Sequence, residues 1–245
     1  MAEIFNAAIY QPLYNVLIFL YNVIPGQDFG VAIIATTIFL KLLLMPVSRK
    51  QIESQKKLQE LQPKIKEIQN RYKDNKEKQT KELMAFYKEN KANPLSGCLP
   101  LIVQLIFLIA IYRILINISM AGLVVDVSNL YSFVADPGKI NHMFIGFIKL
   151  TEPSRGLAIL AATAQYFQTK MIMKKNKKED KSKKKRTSSK PDFSSMMSKQ
   201  MLYLGPVLTL FIGFKFAAGL ALYWLVSTLF MIGQQMYIAK DQKQE

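Results

Sequence analysis

The apolar positions of this chain gather into long runs, and segments dense in lysine separate them. A helix crossing a hydrocarbon core needs about 20 mostly apolar residues. Phe29 to Val47 is the first such run, closed by Pro46. Leu95 to Ile118 is the second, and Gly156 to Met173 is a shorter third. Met201 to Ile238 is too long for one crossing and divides near Gly219, giving spans at 199–216 and 219–238. The pattern predicts an all-α, polytopic membrane protein with five transmembrane helices, joined by an outer loop at 119–155. Ala7 to Ile24 is apolar too, but Gln11, Pro12, Asn15 and Asn22 interrupt it. It reads as an amphipathic helix lying in the interface, inside an outer N-terminal segment of residues 1–28. Taken as a sixth span instead, it would move only the N-terminus to the other side.

The polar segments have patterns of their own. In residues 48–94, Leu58, Leu61, Ile65, Ile68 and Tyr72 recur at helical spacing, and Leu83, Phe86 and Tyr87 do so again after Asp74-Asn75. This predicts a helical hairpin. Pro63 should kink or restart its first helix, and Asn93-Pro94 should end its second. The apolar stripe either packs on the partner helix or grazes lipid. Residues 174–198 have no apolar face over most of their length, and the expectation there is a disordered basic loop.

Charge changes the picture by giving it a direction. The 245 residues carry a net charge of +16, while mean hydropathy is only +0.11 because apolar and basic stretches cancel. Residues 48–92 hold 13 Lys/Arg against 7 Asp/Glu, and residues 174–192 hold 10 against 3. Residues 1–28 hold no Lys or Arg, and 119–152 hold only Lys139 and Lys149. Basic loops stay in the cytoplasm. The N-terminus is therefore expected outside, with the hairpin, the basic loop and the tail at 239–245 inside. The basic loop fits two partners: anionic lipid, at about 1 kcal/mol per side chain near the surface, or ribosomal RNA through its phosphates.

Candidate chemistry is sparse. One cysteine, Cys98, and one histidine, His142, exclude a disulfide framework and a Cys/His metal site. The chain has no Gly-rich phosphate loop, HExxH, GxSxG or buried carboxylate pair, so neither an enzyme nor a cofactor is expected. The five spans contain no Asp or Glu, which argues against a cation-coupled transporter. Lys41 is the exception among these apolar runs. It lies six residues before Val47, roughly 9 Å from that end. It either snorkels to the inner interface or faces a wet cavity. Thr37, four residues earlier, shares its face. Gln104, Gln165, Gln168, Ser227, Thr228, Gln234 and Gln235 bring further polar groups into the spans. They either join helices or line a groove. Arg113, Lys170, Lys199 and Lys215 lie nearer span ends and read as snorkelling.

The order of several motifs resembles the YidC family of membrane-protein insertases, which includes the mitochondrial Oxa and chloroplast Alb members. Asn93-Pro94-Leu95-Ser96-Gly97-Cys98-Leu99-Pro100-Leu101-Ile102-Val103-Gln104 is similar to that family's NPLxGCxPxxxQ signature. Leu58-Gln59-Glu60-Leu61-Gln62-Pro63-Lys64-Ile65 and Met84-Ala85-Phe86-Tyr87-Lys88 resemble its cytoplasmic hairpin, and Gly219 to Ser227 its last core span. The resemblance implies five spans around a groove open to cytoplasm and lipid. Lys41 matches the groove's basic position, where the family usually has Arg, and Thr37, Gln168, Trp224 and Gln104 match or adjoin groove-lining positions. It also implies a bacterial cytoplasmic-membrane protein that inserts and chaperones nascent membrane proteins, without ATP of its own. The ribosome and the Sec translocon are implied partners, and a monomer suffices. No large outer domain precedes the first span, which resembles the short, Gram-positive-like form. Ala217-Ala218 stand where relatives often carry a proline.

Overall fold

A computed structural model describes residues 2–93, 99–174 and 193–241. Pro94 to Cys98 of the signature, residues 175–192 of the basic segment and residues 242–245 lie outside the described residues. The chain is mostly helical, and it divides into two compact units.

The first unit comprises Met1–Leu43, Gln104–Lys170 and Met201–Glu245. It opens with α1 (Ala2–Phe5), a π-helical turn at Asn6–Tyr10 and α2 (Gln11–Val23). Tyr10, Leu13, Tyr14, Leu17, Ile18 and Tyr21 are all buried. Their i, i+3, i+4 spacing makes one apolar stripe of the α2 face. Helix α3 (Phe29–Leu43) packs on α2 through Phe29, Ala32 and Ile33. The same core takes in Ile111, Ile114, Leu115 and Ile118 of α6 (Leu99–Met120) and Leu220 to Trp224 of α9 (Ala218–Asp241). Helix α7 (Arg155–Lys174) and helix α8 (Phe193–Lys215) complete the set. Gly213 lets α8 approach α7 closely: a Cβ there would lie 2.6 Å from that of Ala158. Small residues at such contacts are how helices associate where apolar burial offers no gain.

Two described helices are long and apolar enough to cross a membrane, Glu3–Val23 and Ile102–Met120, and a third crossing results if Phe29–Leu43 and Met45–Leu58 form one span. Large apolar side chains are exposed on several helices, including Phe39 and Leu42 of α3 and Val207 and Phe211 of α8. An apolar surface of this extent marks contact with lipid or with protein.

The helix of the run expected to reach Val47 ends at Leu43, and Pro46 both stops it and opens the next helix. Pro46 cannot donate to the Leu42 carbonyl, so α3 stops at Leu43. Pro46 then sits in the first turn of α4 (Met45–Arg71), where a missing N–H costs nothing.

The segment expected as a plain outer loop, 119–155, is ordered. It contains a 3-10 turn at Val127–Asn129 and a small antiparallel hairpin, β1 (Met143–Phe144) with β2 (Ile148–Lys149). Side chains of α2 hold it. Asn15 Nδ2 donates to the Asn129 carbonyl at 2.8 Å, and Asn15 Oδ1 accepts from the Tyr131 amide at 2.6 Å. Asn22 donates to the Ala135 carbonyl at 2.7 Å. Tyr14 and Tyr21 hydroxyls accept from the amides of Asp126 and Asn141 at 2.7 and 2.8 Å. Asp28 caps α3, its Oδ1 accepting from Gly30 and Val31 amides at 2.8 and 3.0 Å. Its Oδ2 accepts from the Ile145 amide at 2.7 Å. The same hairpin region caps α9: the amides of Ala218 and Gly219 donate to the Glu152 and Leu150 carbonyls at 2.7 and 3.0 Å.

The second unit comprises Leu44–Val103 and Met171–Gln200. Its α4 and α5 (Lys76–Glu89) form the expected hairpin, and Gln79 Nε2 donates to the Gln69 carbonyl at 2.6 Å between them. Ile65 is buried, and Leu61, Ile68, Leu83, Phe86 and Tyr87 are partly so. Asn75 caps α5, accepting from the Lys78 amide at 2.9 Å. Helix α4 does not restart at Pro63 but runs through it. Pro63 is exposed, so solvent can satisfy the carbonyl it leaves without a donor. Helix α5 ends at Glu89, before Asn93. Residues 193–198, expected in the disordered loop, already belong to α8.

Candidate functional site

The polar side chains expected in the spans converge on α9 of the first unit. Trp224, Ser227 and Thr228 lie on one α9 face, at i, i+3 and i+4, and all are buried. Each helix around them contributes an amide or a hydroxyl, and the contacts form two clusters.

Gln104 of α6 centres the first cluster. Its Oε1 accepts from Ser227 Oγ at 2.8 Å and from Lys41 Nζ at 3.2 Å. Its Nε2 is buried and has no partner among the described residues. Lys41 itself is half-buried, and no carboxylate lies within ion-pair distance of it among the described residues. An ammonium in this setting is expensive unless water or an anion shares it. Thr37, one turn earlier, is buried and donates to the Ile33 carbonyl at 2.6 Å. It lies on the Lys41 face but spends its proton on its own helix.

Gln165 of α7 centres the second cluster. Its Oε1 accepts from Trp224 Nε1 at 2.5 Å and from Thr209 Oγ1 of α8 at 2.6 Å. One amide oxygen thus ties three helices together. Gly205 leaves room for it, since a Cβ there would lie 3.1 Å from Gln165 Nε2. Gln168, one turn further along α7, reaches α9 through Met231 Sδ at 3.6 Å.

All five expected site residues therefore fall in the same unit. Lys41 and Gln104 are in direct contact. Trp224 joins them through the α9 face it shares with Ser227. Gln168 belongs to the second cluster, and Thr37 stands apart from both as a self-satisfied hydroxyl. Gln165 and Ser227 were expected only as polar groups that join helices or line a groove, and Thr209 was not singled out. An amide and hydroxyls in otherwise apolar runs were the available signal, but the sequence does not show which of them face one another.

Two further cations of the apolar runs lie over aromatic faces. Arg113 lies over the rings of Phe5 and Tyr10 at 5.8 and 5.4 Å, and Lys170 lies over Tyr166 at 5.3 Å. Both are cation–π contacts, whereas Lys41 is held by an amide oxygen. Outside the spans, hydrogen bonds from Ser128 and Asn129 hold the Asp126 carboxyl below its usual range. Among the described residues no group of three or more His, Cys, Asp or Glu side chains could hold a metal ion.

The chain is similar to known proteins along most of its length. Residues 19–245 match the family model of the 60Kd inner membrane protein. The chain is 34% identical over 219 residues to a protein named membrane protein insertase YidC from Oceanobacillus iheyensis, covering 88% of this chain and 76% of that one. It is 32% identical over 235 residues to one of the same name from Fusobacterium nucleatum, covering 95% and 97%. A Streptomyces avermitilis protein of that name is 29% identical over 232 residues, and there the chain spans about half of the relative's length, 52%. The chain belongs to the 60Kd inner membrane protein family, the family of the membrane protein insertases named YidC.

Proposed function

We propose that this chain inserts nascent membrane proteins into a bacterial cytoplasmic membrane and helps them fold, with Lys41 as the point of capture. The observation that carries this reading is the Lys41 ammonium, half-buried and, among the described residues, hydrogen-bonded to Gln104 Oε1 with no carboxylate within ion-pair distance. A nascent span with a polar, acidic flank meets a high barrier in hydrocarbon. A wet, charged groove shortens the apolar distance which that flank must cross. Lys41 attracts the acidic flank, and the apolar segment then moves into lipid. Burial of about 20 apolar residues drives the step, so no nucleotide is needed. Thr37, Gln104, Gln168 and Trp224 line the groove in this reading, with Gln165 and Ser227 setting the rotamers of Trp224 and Gln104.

Five spans serve this function, drawn from α3, α6, α7, α8 and α9, with the α4–α5 hairpin and the basic loop in the cytoplasm. The helix at 7–24 lies in the outer interface. Its support is the reach of α2: Tyr14 contacts Asp126, and Tyr21, seven residues later and roughly 10 Å away, contacts Asn141. Successive turns of the helix thus meet the same outer segment along its length, whereas a crossing helix would leave that segment behind at one end. Anionic lipid at the basic loop, and the ribosome and Sec translocon, are the partners proposed.

Complementation of an insertase-depleted bacterium tests the reading, with wild type, Lys41→Arg and Lys41→Ala compared at equal membrane abundance. Wild type and Arg should rescue and Ala should fail. Rescue by Ala would remove Lys41 from the mechanism.

A further inference from the structure

The tip of the outer hairpin is built in an unusual way. Between β1 and β2 stand Ile145, Gly146 and Phe147. Ile145 has φ +52°, a left-handed conformation that a β-branched residue rarely adopts. Gly146 follows at φ +74°. The strain is fixed in place by the bond from the Ile145 amide to Asp28 Oδ2 at 2.7 Å, and Phe147 N–H closes the turn on the Phe144 carbonyl at 3.1 Å. Its effect is to turn two large apolar side chains outward: Ile145 is 62% exposed and Phe147 is 86% exposed. Phe144 points the other way, into the surface that Gly30 leaves open. A strained backbone that presents apolar side chains to the surroundings points to a surface they are meant to meet.

We infer that Ile145 and Phe147 form a wedge that seats the outer hairpin in the outer leaflet, at the boundary between headgroups and acyl chains. The level of the tip argues for lipid. Asp28 is the last polar residue before the apolar run of α3 begins at Phe29, and the tip backbone is bonded to its carboxylate. The tip therefore stands where that span enters the hydrocarbon, level with the first turn of α3, which itself exposes the apolar Val31. The inference rests on α3 being a membrane span.

The test places an environment-sensitive nitrobenzoxadiazole label at Phe147→Cys, and separately at Ile145→Cys, in a Cys98→Ser background reconstituted in phosphatidylcholine–phosphatidylglycerol vesicles. Nitroxide lipids labelled near the headgroup or deep in the chain, and aqueous iodide, serve as quenchers. A label at Ile38→Cys on α3 reports on the span itself. At both tip positions the inference expects blue-shifted emission, quenching by the shallow nitroxide, and protection from iodide. If the tip labels are open to iodide while the Ile38 label is quenched by the deep nitroxide, the wedge is wrong and the span stands. If the Ile38 label is itself open to iodide, the span fails and takes the wedge with it.

Discussion

Lys41 and Ser227, on α3 and α9, donate to one and the same oxygen, Oε1 of Gln104, at 3.2 and 2.8 Å. The shared acceptor fixes the amide's orientation, because its oxygen must face both donors. It follows that Nε2 of Gln104 is aimed elsewhere, and there it finds no partner among the described residues. The ammonium is thus positioned by a neutral group and not by a carboxylate.

Replacing that neutral group by a charged one is the most direct test of why this matters. Gln104→Glu sets a carboxylate against Lys41 and cancels its charge with little change of shape. Insertion of substrates with acidic outer segments should fall about tenfold or more, equivalent to about 1.4 kcal/mol, and approach the level of Lys41→Ala. Reconstituted vesicles with a fixed amount of insertase give the readout. Full activity of Gln104→Glu alongside an inactive Lys41→Ala would contradict the role given to free charge.

Asn15 should matter more for stability than Asn22. Asn15 is buried and makes bonds to Gln11, Asn129 and Tyr131. Asn15→Leu leaves the Tyr131 amide and the Asn129 carbonyl without partners, at a cost of about 1–3 kcal/mol. Asn22 makes one exposed bond, so Asn22→Ala should cost about 0.5–1.5 kcal/mol. Unfolding in detergent micelles ranks the two, and a reversed order would mean that α2 is not the support of the outer segment.

Gly30 and Phe144 should behave as a coupled pair. A Cβ at Gly30 would lie 2.2 Å from the Phe144 ring, so Gly30→Ala should destabilise by about 1–3 kcal/mol through overpacking. Adding Phe144→Ala removes the ring contacts at 2.2 and 2.5 Å and leaves the Cβ contact at 2.8 Å, so the double variant should be more stable than the sum of the singles implies. Strict additivity in a double-mutant cycle would show that the two do not touch.

Acid should loosen the outer segment through Asp126. Its folded pKa is held below the unfolded one, with Ser128 the largest cause. That stabilisation is complete above the unfolded value, about 3.9, and is lost as pH falls from there through the folded value. The difference in melting temperature between wild type and Asp126→Asn should therefore shrink as the pH is lowered across that window. A difference that stays constant would assign Asp126 no part in the acid response.

The sequence shows where apolar runs lie, and most helices follow from that alone. It shows less of what depends on partners. Asn15 and Asn22 argue against a membrane span when read singly, but their partners are backbone groups of the outer segment, which no periodicity reveals. The hairpin at Met143–Lys149 has strands of two residues, too short for any alternation to register. Pro46 was legible as a break, yet a proline halts one helix and begins another with equal ease, so Leu43 as the end of α3 was not. At the candidate site, Lys41 stood out because it is charged. Gln165 carries as many contacts but is one of several span amides, and only the packing of α7, α8 and α9 singles it out.

The bonds between α2 and the outer segment join residues 112 to 120 positions apart. During synthesis at about 5–20 residues per second, the polar side chains of α2 wait on the order of ten seconds for their partners to emerge. Throughout that interval Asn15, Asn22 and two tyrosine hydroxyls need water, which the bilayer surface supplies and the hydrocarbon does not. The order in which the chain is made thus favours a helix that waits at the surface until the outer segment arrives to cover it.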